Sequence, residues 1–210
     1  METELKYTIA DRALIEEIFN DDQVRRYKDE NTEVLIPMNA VFYDTPDYKL
    51  QRAGFAFRIR REGDENVATL KWGGTTSEGM HKRQELNITL DDEEARHPAI
   101  SIFGQDEVGG ELERLIGDEP LEALMEIQYL RRQVRLDTGK SISELSADEG
   151  FVRANGGETP ICEMEIELYS GDEEDMRALG DEIASKYDLK PENTSKFKRG
   201  LSLLFNEKSI

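Results

Sequence analysis

The sequence predicts an α+β protein in which β-structure dominates, folded as a closed eight-stranded antiparallel β-barrel with helices packed on its outer face. Many short segments alternate apolar and charged residues, which is the period-two pattern of a strand with two different faces. In several segments the charges on one face share a sign, which is unusual for a solvated face. A closed barrel can enclose a polar interior while helices cover its apolar exterior.

Eight segments carry the strand pattern and are separated by turn residues. They are 2–8, 34–43, 55–62, 66–72, 82–90, 125–136, 142–148 and 162–169. Helical patterns are fewer and cover 11–19, 111–116, 172–187 and 196–205. In the third of these, acidic residues occupy the first turn and Lys186 the last, which complements the helix dipole. We find no repeat or long linker, so we expect a single domain over 1–210.

Composition limits the possible functions. The 210 residues include 27 Lys and Arg but 46 Asp and Glu, a formal net charge of −19. Such a chain should repel nucleic acid and anionic lipid. No apolar run approaches the roughly 18 residues of a membrane span, and the first residues are charged, so we expect a cytoplasmic protein. The single Cys162 excludes an intramolecular disulfide, and two histidines are too few for a His-rich metal site.

The charged strand faces form two groups of opposite sign. Arg58 and Arg60 share one face of a strand, and Glu163, Glu165 and Glu167 share a face of another. Like charges so placed repel one another unless an opposite charge lies between them. A solvated outer face explains any one strand, but the whole set favours a lumen that contains both groups. Arginines bind phosphate oxygens and carboxylates bind Mg²⁺ or Mn²⁺, so the lumen is predicted to hold a metal–polyphosphate complex.

Short blocks along the chain resemble the CYTH superfamily, also called triphosphate tunnel metalloenzymes. The blocks are ETELK (2–6), FYDTPDYKLQRAGFAFRIRR (42–61), TLK (69–71), RQE (83–85), DEG (148–150), EMEIEL (163–168) and SKFKRG (195–200). Segments 79–90 and 160–171 are most similar to the bacterial inorganic triphosphatase branch. The resemblance implies an eight-stranded tunnel that holds a divalent metal and a triphosphate. The helical CHAD domain that follows in some members is not expected within these 210 residues.

The resemblance also implies roles for individual residues. The expected catalytic residues are Lys6, Lys71 and Arg58. The expected substrate-binding residues are Lys6, Arg58, Arg60, Lys71, Arg83, Arg131, Lys196 and Arg199. The expected ligands of Mg²⁺ or Mn²⁺ are Glu2, Glu4, Glu165, Glu167 and Asp148. Glu85, Glu144, Glu163 and Asp148 are expected to orient lumen cations. Which of Arg131, Arg132 and Arg135 face the lumen stays open.

The expected activity is metal-dependent hydrolysis of inorganic triphosphate (tripolyphosphate) to phosphate and diphosphate. The alternatives are another CYTH chemistry, namely adenylate cyclisation or hydrolysis of thiamine triphosphate or another organic triphosphate, and a non-catalytic polyphosphate-binding module. The expected partner is a small-molecule triphosphate, with no nucleic acid and no membrane, and the oligomeric state stays open.

Some residues near these blocks are expected to lie outside the site. We expect His81 and His97 at the surface and Lys49 in an exposed turn. The segment 73–80 is expected to be a glycine-rich loop, and Asp44 should bind backbone in the turn after its strand.

Overall fold

The computed structural model describes residues 1–205, and residues 206–210 of the predicted domain lie outside the described residues. The described chain contains nine strands: β1 (Glu2–Thr8), β2 (Val34–Asp44), β3 (Phe55–Glu62), β4 (Glu65–Ser77), β5 (Met80–Leu90), β6 (Glu122–Asp137), β7 (Ser141–Ala154), β8 (Gly157–Gly171) and β9 (Lys190–Pro191). Its α-helices are α1 (Leu14–Phe19), α2 (Asp22–Tyr27), α3 (Lys49–Arg52), α4 (Glu107–Ile116), α5 (Glu173–Lys186) and α6 (Lys196–Leu204). No helix of this part of the chain combines the length and the apolarity needed to cross a bilayer.

Eight strands close into an antiparallel barrel in the order β1–β5–β4–β3–β2–β6–β7–β8, with β8 returning to β1. Closure occurs on both sides of β1, which pairs with β5 through Glu2 opposite Arg83 and with β8 through Lys6 opposite Glu165. The short β9 pairs with β1 beyond this ring. The predicted closed eight-stranded barrel is therefore confirmed.

Two apolar cores lie between the barrel and the helices on its outer face. One packs α1, α2 and α5 against β1, β6, β7 and β8, with side chains such as Ile18 and Met176 fully buried. The other packs α3 and α4 against β3 and β4, around Phe57 and Leu112. Each such buried side chain contributes roughly 1.5–3 kcal/mol of transfer free energy. The predicted covering of the outer face by helices is confirmed.

Helix α6 differs because it packs against side chains that face the lumen. Its Phe197 stacks on Phe42, with ring centroids 4.9 Å apart. Its Gly200 lies so close to Met125 that an added Cβ would stand 2.0 Å from the Met125 Sδ. Only charged clusters were predicted in the lumen. The structure shows that part of the lumen is apolar and is filled by this helix.

Three local predictions are wrong. His81 is only 4% exposed, although it was expected at the surface. Segment 73–80 is the end of β4, a tight turn and the start of β5, so it continues the barrel wall. Lys49 begins α3, and its Nζ lies 2.6 Å from the Glu119 Oε1. The prediction for Asp44 is confirmed, because its two oxygens accept three backbone N–H groups, those of residues 45, 50 and 51.

Candidate active site

The lumen contains a cavity with about 800 Å³ of empty space, counting the open space at its mouth. It is lined by seven cationic and five carboxylate side chains, an excess of two positive charges in a chain of net charge −19. The cations are Lys6, Arg58, Arg60, Lys71, Arg83, Arg131 and Lys196, and the carboxylates are Glu2, Glu4, Glu85, Glu165 and Glu167. Every predicted site residue lines the cavity except two: Asp148, which pairs with the lining residues Arg131 and Lys196, and Arg199, which pairs with Glu163.

Strand geometry explains why these residues meet. Glu2, Glu4 and Lys6 alternate along β1, so all three side chains point inward. The antiparallel register then places Glu4 opposite Glu167 and Lys6 opposite Glu165 on β8. Side chains directly opposite one another on neighbouring strands have Cβ atoms about 4.5–5.5 Å apart. The Lys6–Glu165 pair is thus attractive, whereas the Glu4–Glu167 pair is repulsive.

On one side of the lumen, buried carboxylates are neutralised by cationic side chains of the protein. The carboxylates of Asp148, Glu163 and Glu165 each have an oxygen within 4.8 Å of the others, close enough for a shared metal ion. The Lys196 ammonium already lies among them, 2.6 Å from Asp148 and 2.9 Å from Glu165, and it also contacts Glu163. A cation therefore occupies the place that a metal ion would take.

Arg131 and Lys6 complete this balance. The Arg131 guanidinium donates two 2.7 Å hydrogen bonds to Asp148 and one of 2.6 Å to Glu165. The Lys6 Nζ lies 2.8 Å from Glu165. Burial alone would raise the pKa of Glu165, but Lys196, Lys6 and Arg131 together hold that pKa well below its usual value. Glu165 is thus a carboxylate that holds lumen cations in place.

A second network joins β1 to β4 and β5. The Lys71 Nζ lies 3.0 Å from Glu2 and 2.5 Å from Glu85, and the Arg83 guanidinium reaches Glu2 at 2.6 Å and Glu4 at 2.9 Å. Burial lowers the pKa of Lys71, and the positive charges of Arg83 and Arg58 lower it further. These contacts hold the cationic heads in fixed directions before any ligand enters.

Glu167 is the carboxylate that the protein leaves uncompensated. Among residues 1–205, its carboxylate has neither a hydrogen-bond donor nor an ion-pair partner. Burial, followed by the charges of Glu2 and Glu4, raises the pKa of Glu167 to about 7. Glu2 and Glu4 are paired with Lys71 and Arg83, so the uncompensated negative charge of these three carboxylates lies on Glu167.

Arg58 is the corresponding uncompensated cation. In the described part of the chain it forms no ion pair, and its Nε is buried without a hydrogen-bond partner. Burial and the neighbouring Arg60 lower the pKa of Arg58. Within residues 1–205, Arg60 pairs only with Glu62, outside the lining of the cavity. Since β3 and β8 are four strands apart in a ring of eight, Arg58 and Glu167 project from opposite walls.

The donor set suits a hard divalent cation. Glu2, Glu4 and Glu167 offer only carboxylate oxygens, which Mg²⁺ and Mn²⁺ prefer. A divalent cation at this position would remove the repulsion that raises the pKa of Glu167. The chemistry of the donor set therefore fits such an ion, but Glu2 and Glu4 are paired with Lys71 and Arg83, and within residues 1–205 the carboxylates grouped within 4.8 Å of one another are those of Asp148, Glu163 and Glu165.

The structure also settles which arginines of β6 face inward. Arg131 lines the cavity, whereas Arg132 points outward and lies over the Phe19 ring at 4.4 Å. Arg135 is half exposed beside Asp29. Arg199 contacts Glu163 and does not line the cavity.

Two residues near the tunnel depart from what the sequence indicated. Glu144, expected to orient lumen cations, instead accepts a 2.6 Å hydrogen bond from the Tyr169 hydroxyl. Tyr129 lines the cavity and was missed, with its ring 5.1 Å from the Lys196 Nζ and 5.6 Å from the Arg131 Cζ. Its position two residues before Arg131 was the available signal, because both residues share a face.

Comparison with known proteins places this geometry in a family. A family model described as the CYTH domain matches residues 1–201. An inorganic triphosphatase of Haemophilus influenzae is 29% identical over 166 residues, which cover 77% of this chain. The chain spans only 44% of that relative's length.

Solved structures agree with the fold. The Hippeastrum protein HpAC1, described as having a dominant triphosphatase activity, matches with a TM-score of 0.71 and 20% identity over 97% of both chains. The PH1819 protein of Pyrococcus horikoshii OT3 matches with a TM-score of 0.59 and 18% identity, over 97% of this chain and 99% of that one. The family model accounts for nearly the whole chain, and we conclude that the chain belongs to the CYTH family.

Proposed function

We propose that the protein is a metal-dependent hydrolase of inorganic triphosphate that releases phosphate and diphosphate inside the tunnel. The observation that supports this most directly is the pair of uncompensated charges on opposite walls, Arg58 and Glu167. A polyphosphate that carries a divalent cation presents both signs and would satisfy both walls at once. The triphosphatase activities stated for the Haemophilus and Hippeastrum proteins support the same class of substrate.

The cationic residues would bind the phosphate chain. Arg58 and Arg60 have the greatest freedom to donate hydrogen bonds to phosphate oxygens, and a guanidinium can contact two oxygens at once. Lys71, Arg83 and Lys6 are held by carboxylates, so little reorganisation is needed when charge develops during the reaction. We assign the catalytic roles to Lys6, Lys71 and Arg58, which would contact the reacting phosphates.

The acidic residues would divide between two tasks. Glu2, Glu4 and Glu167 would hold Mg²⁺ or Mn²⁺. When bound, such an ion neutralises phosphate charge and lowers the pKa of a coordinated water. Glu165 and Asp148, also predicted as ligands, are occupied by Lys196 and Arg131, so we assign them to holding those cations.

In the reaction, the oxygen of a water forms a bond to the terminal phosphorus while a bridging P–O bond breaks and its electron pair leaves with diphosphate. Lumen cations that face the phosphate oxygens stabilise the charge that develops there. The apolar part of the lumen is filled by Phe197 of α6 against Phe42, and this arrangement favours an inorganic chain over one that carries an organic group.

Phosphate release from tripolyphosphate tests the proposal. We expect turnover with Mg²⁺ or Mn²⁺, loss of turnover in a chelator, and slower turnover of ATP and thiamine triphosphate. Lys71→Ala should lose most activity, whereas Lys140→Ala, in the exposed turn between β6 and β7, should behave like the wild type. Binding of tripolyphosphate without phosphate release would indicate a binding module, and a preference for ATP would indicate an organic substrate.

A further inference from the structure

The segment 190–195 lies beside β1 and leads into α6. Lys190 and Pro191 pair with Thr8 and Tyr7 of β1, and the Glu192 N–H donates to the Lys6 carbonyl at 2.9 Å. The pairing of β1 with β5 ends at Leu5. Beyond that point, segment 190–195 takes the place of β5 as the neighbour of β1.

His81 of β5 holds this segment through a buried contact. Its Nε2 lies 2.8 Å from the Glu192 carbonyl oxygen, so this nitrogen carries the proton and donates it. Its Nδ1 then accepts a hydrogen bond from the Thr76 hydroxyl at 3.2 Å. Both ring nitrogens are thus used, and the side chain is only 4% exposed. Thr76 of β4 therefore holds the imidazole ring, and the ring holds Glu192 of the segment.

A second contact from the same hairpin holds the next residue. The Gly79 N–H donates to the Asn193 side-chain oxygen at 2.9 Å. Gly79 has a φ of +78°, which glycine adopts readily. An added Cβ would stand 2.6 Å from the Lys6 carbonyl oxygen, so a larger residue would not fit between the turn and β1. The β4–β5 hairpin therefore contacts two consecutive residues of the segment, Glu192 through His81 and Asn193 through Gly79.

The position of the segment determines where α6 begins. Ser195 caps the helix by accepting the Lys198 N–H, and the helix starts at Lys196. Lys196 follows the anchored Glu192 by only four residues, and its Nζ reaches Asp148 and Glu165 at 2.6 and 2.9 Å. A small displacement of the anchor would move the ammonium out of contact with these carboxylates.

We propose that His81 is a positioning residue for the lumen: it anchors segment 190–195 so that Lys196 reaches the carboxylates of the tunnel. The kinetic part of this inference rests on the proposed function, because it requires turnover of tripolyphosphate. His81 does not touch the substrate in this account and acts only through the chain that carries Lys196.

The kinetic test is a double-mutant cycle on tripolyphosphate with Mg²⁺. Misplacement of a catalytic group by about 1 Å can cost about a hundredfold in rate, so we expect His81→Ala to lower kcat by roughly ten- to a hundredfold. In the background of Lys196→Ala, His81→Ala should cause little further loss, since the group it positions is already absent. Full additivity of the two losses would overturn the proposal.

Conservative variants separate positioning from general destabilisation. His81→Gln can place an N–H near the position of Nε2 and should recover much of the activity, whereas His81→Asn reaches only the position of Nδ1 and should not. Tyr7→Phe is the matched control, because it removes a partly buried 2.8 Å hydrogen bond to Asp181 on the outer face of the barrel. It should lower the melting temperature without changing kcat or KM. Equal kinetic defects in all of these variants would contradict a specific anchor.

Hydrogen exchange without substrate tests the anchor independently of activity. In His81→Ala, and to a smaller degree in His81→Gln, the amides of residues 190 and 192–196 should exchange faster, while those of β2 should not change. Unchanged exchange in 190–196 would overturn the proposal, whatever the substrate. If exchange is faster in His81→Ala but the wild type releases no phosphate from tripolyphosphate, the anchor is supported and only the proposed function is rejected.

Discussion

The unbalanced carboxylate of Glu167 predicts an unusual dependence of stability on pH. Burial and the charges of Glu2 and Glu4 raise its pKa from the ordinary value of 4.5 to about 7. Between these two values the folded protein keeps a proton that the unfolded chain has lost, so the metal-free protein loses stability as the pH rises. A displacement of this size corresponds to about 3 kcal/mol, all of it lost once the pH exceeds about 7.

Glu167→Gln removes this titration without changing the volume of the side chain. At pH 8 in a chelator, the variant should therefore be more stable than the wild type by up to about 3 kcal/mol, and near pH 4 the two should be equal. Urea unfolding followed by circular dichroism at pH 4, 6 and 8 measures the difference. A Glu167→Gln variant that is less stable than the wild type at pH 8 would refute the reasoning.

Glu165→Gln provides a control of opposite sign on the same face of β8. The pKa of Glu165 lies well below its usual value, because Lys196, Lys6 and Arg131 more than offset its burial. Removing this carboxylate takes one negative partner from each of three buried cations, so the variant should be less stable than the wild type at pH 8. The two variants therefore test whether the balance of lumen charge, and not crowding, decides stability.

Added Mg²⁺ should act through the same carboxylate. Binding to the folded state alone stabilises it by RT ln(1 + [Mg²⁺]/Kd), so Mg²⁺ at pH 8 should raise the stability of the wild type more than that of Glu167→Gln. Binding should weaken below about pH 7, because the ion then competes with the proton on Glu167. An equal response of both proteins to Mg²⁺ would remove Glu167 from the metal site.

Three further predictions concern other positions. Arg58→Ala should lower kcat on tripolyphosphate by roughly 10²–10³ without lowering stability, because Arg58 forms no ion pair with any residue of 1–205; a rise in KM alone would indicate ground-state binding only. Asp44→Ala should lower stability by about 3 kcal/mol in urea unfolding, because it leaves three backbone N–H groups without their acceptor, and kcat of the folded enzyme should be unchanged. Gly200→Ala should displace α6 from Met125, costing about 1–3 kcal/mol and lowering kcat; normal values of both would show that the lumen tolerates the added methyl group.

The alternation of side chains was enough to predict the barrel and most of the residues that line it. In a strand, which residues share a face follows from covalent geometry, so Glu2, Glu4 and Lys6 had to point the same way wherever β1 lay. The same rule predicted Arg58 with Arg60 and Glu165 with Glu167. It could not predict the apolar part of the lumen, because apolar residues were assigned to the outer face and α6 to the exterior.

What only the tertiary structure decided is the balance of charge. Glu165 is neutralised by Lys196 from α6 and Arg131 from β6, whereas Glu167, two residues further along the same strand, faces Glu4 and has no partner in the described chain. These contacts join residues about 30 or more positions apart. Their distances depend on how the barrel closes and on the stagger between strands, which alternation within one strand does not contain.

The environments of His81 and Arg132 were decided in the same way. Arg132 lies in a strand that the sequence predicted and His81 immediately precedes one, but the burial of His81 depends on segment 190–195, and the outward position of Arg132 on Phe19. The sequence by itself therefore determined which side chains could share the tunnel, because that property is local. Which of them remain unpaired and free to bind a ligand depends on partners brought from distant parts of the chain, and only the closed barrel brings those partners together.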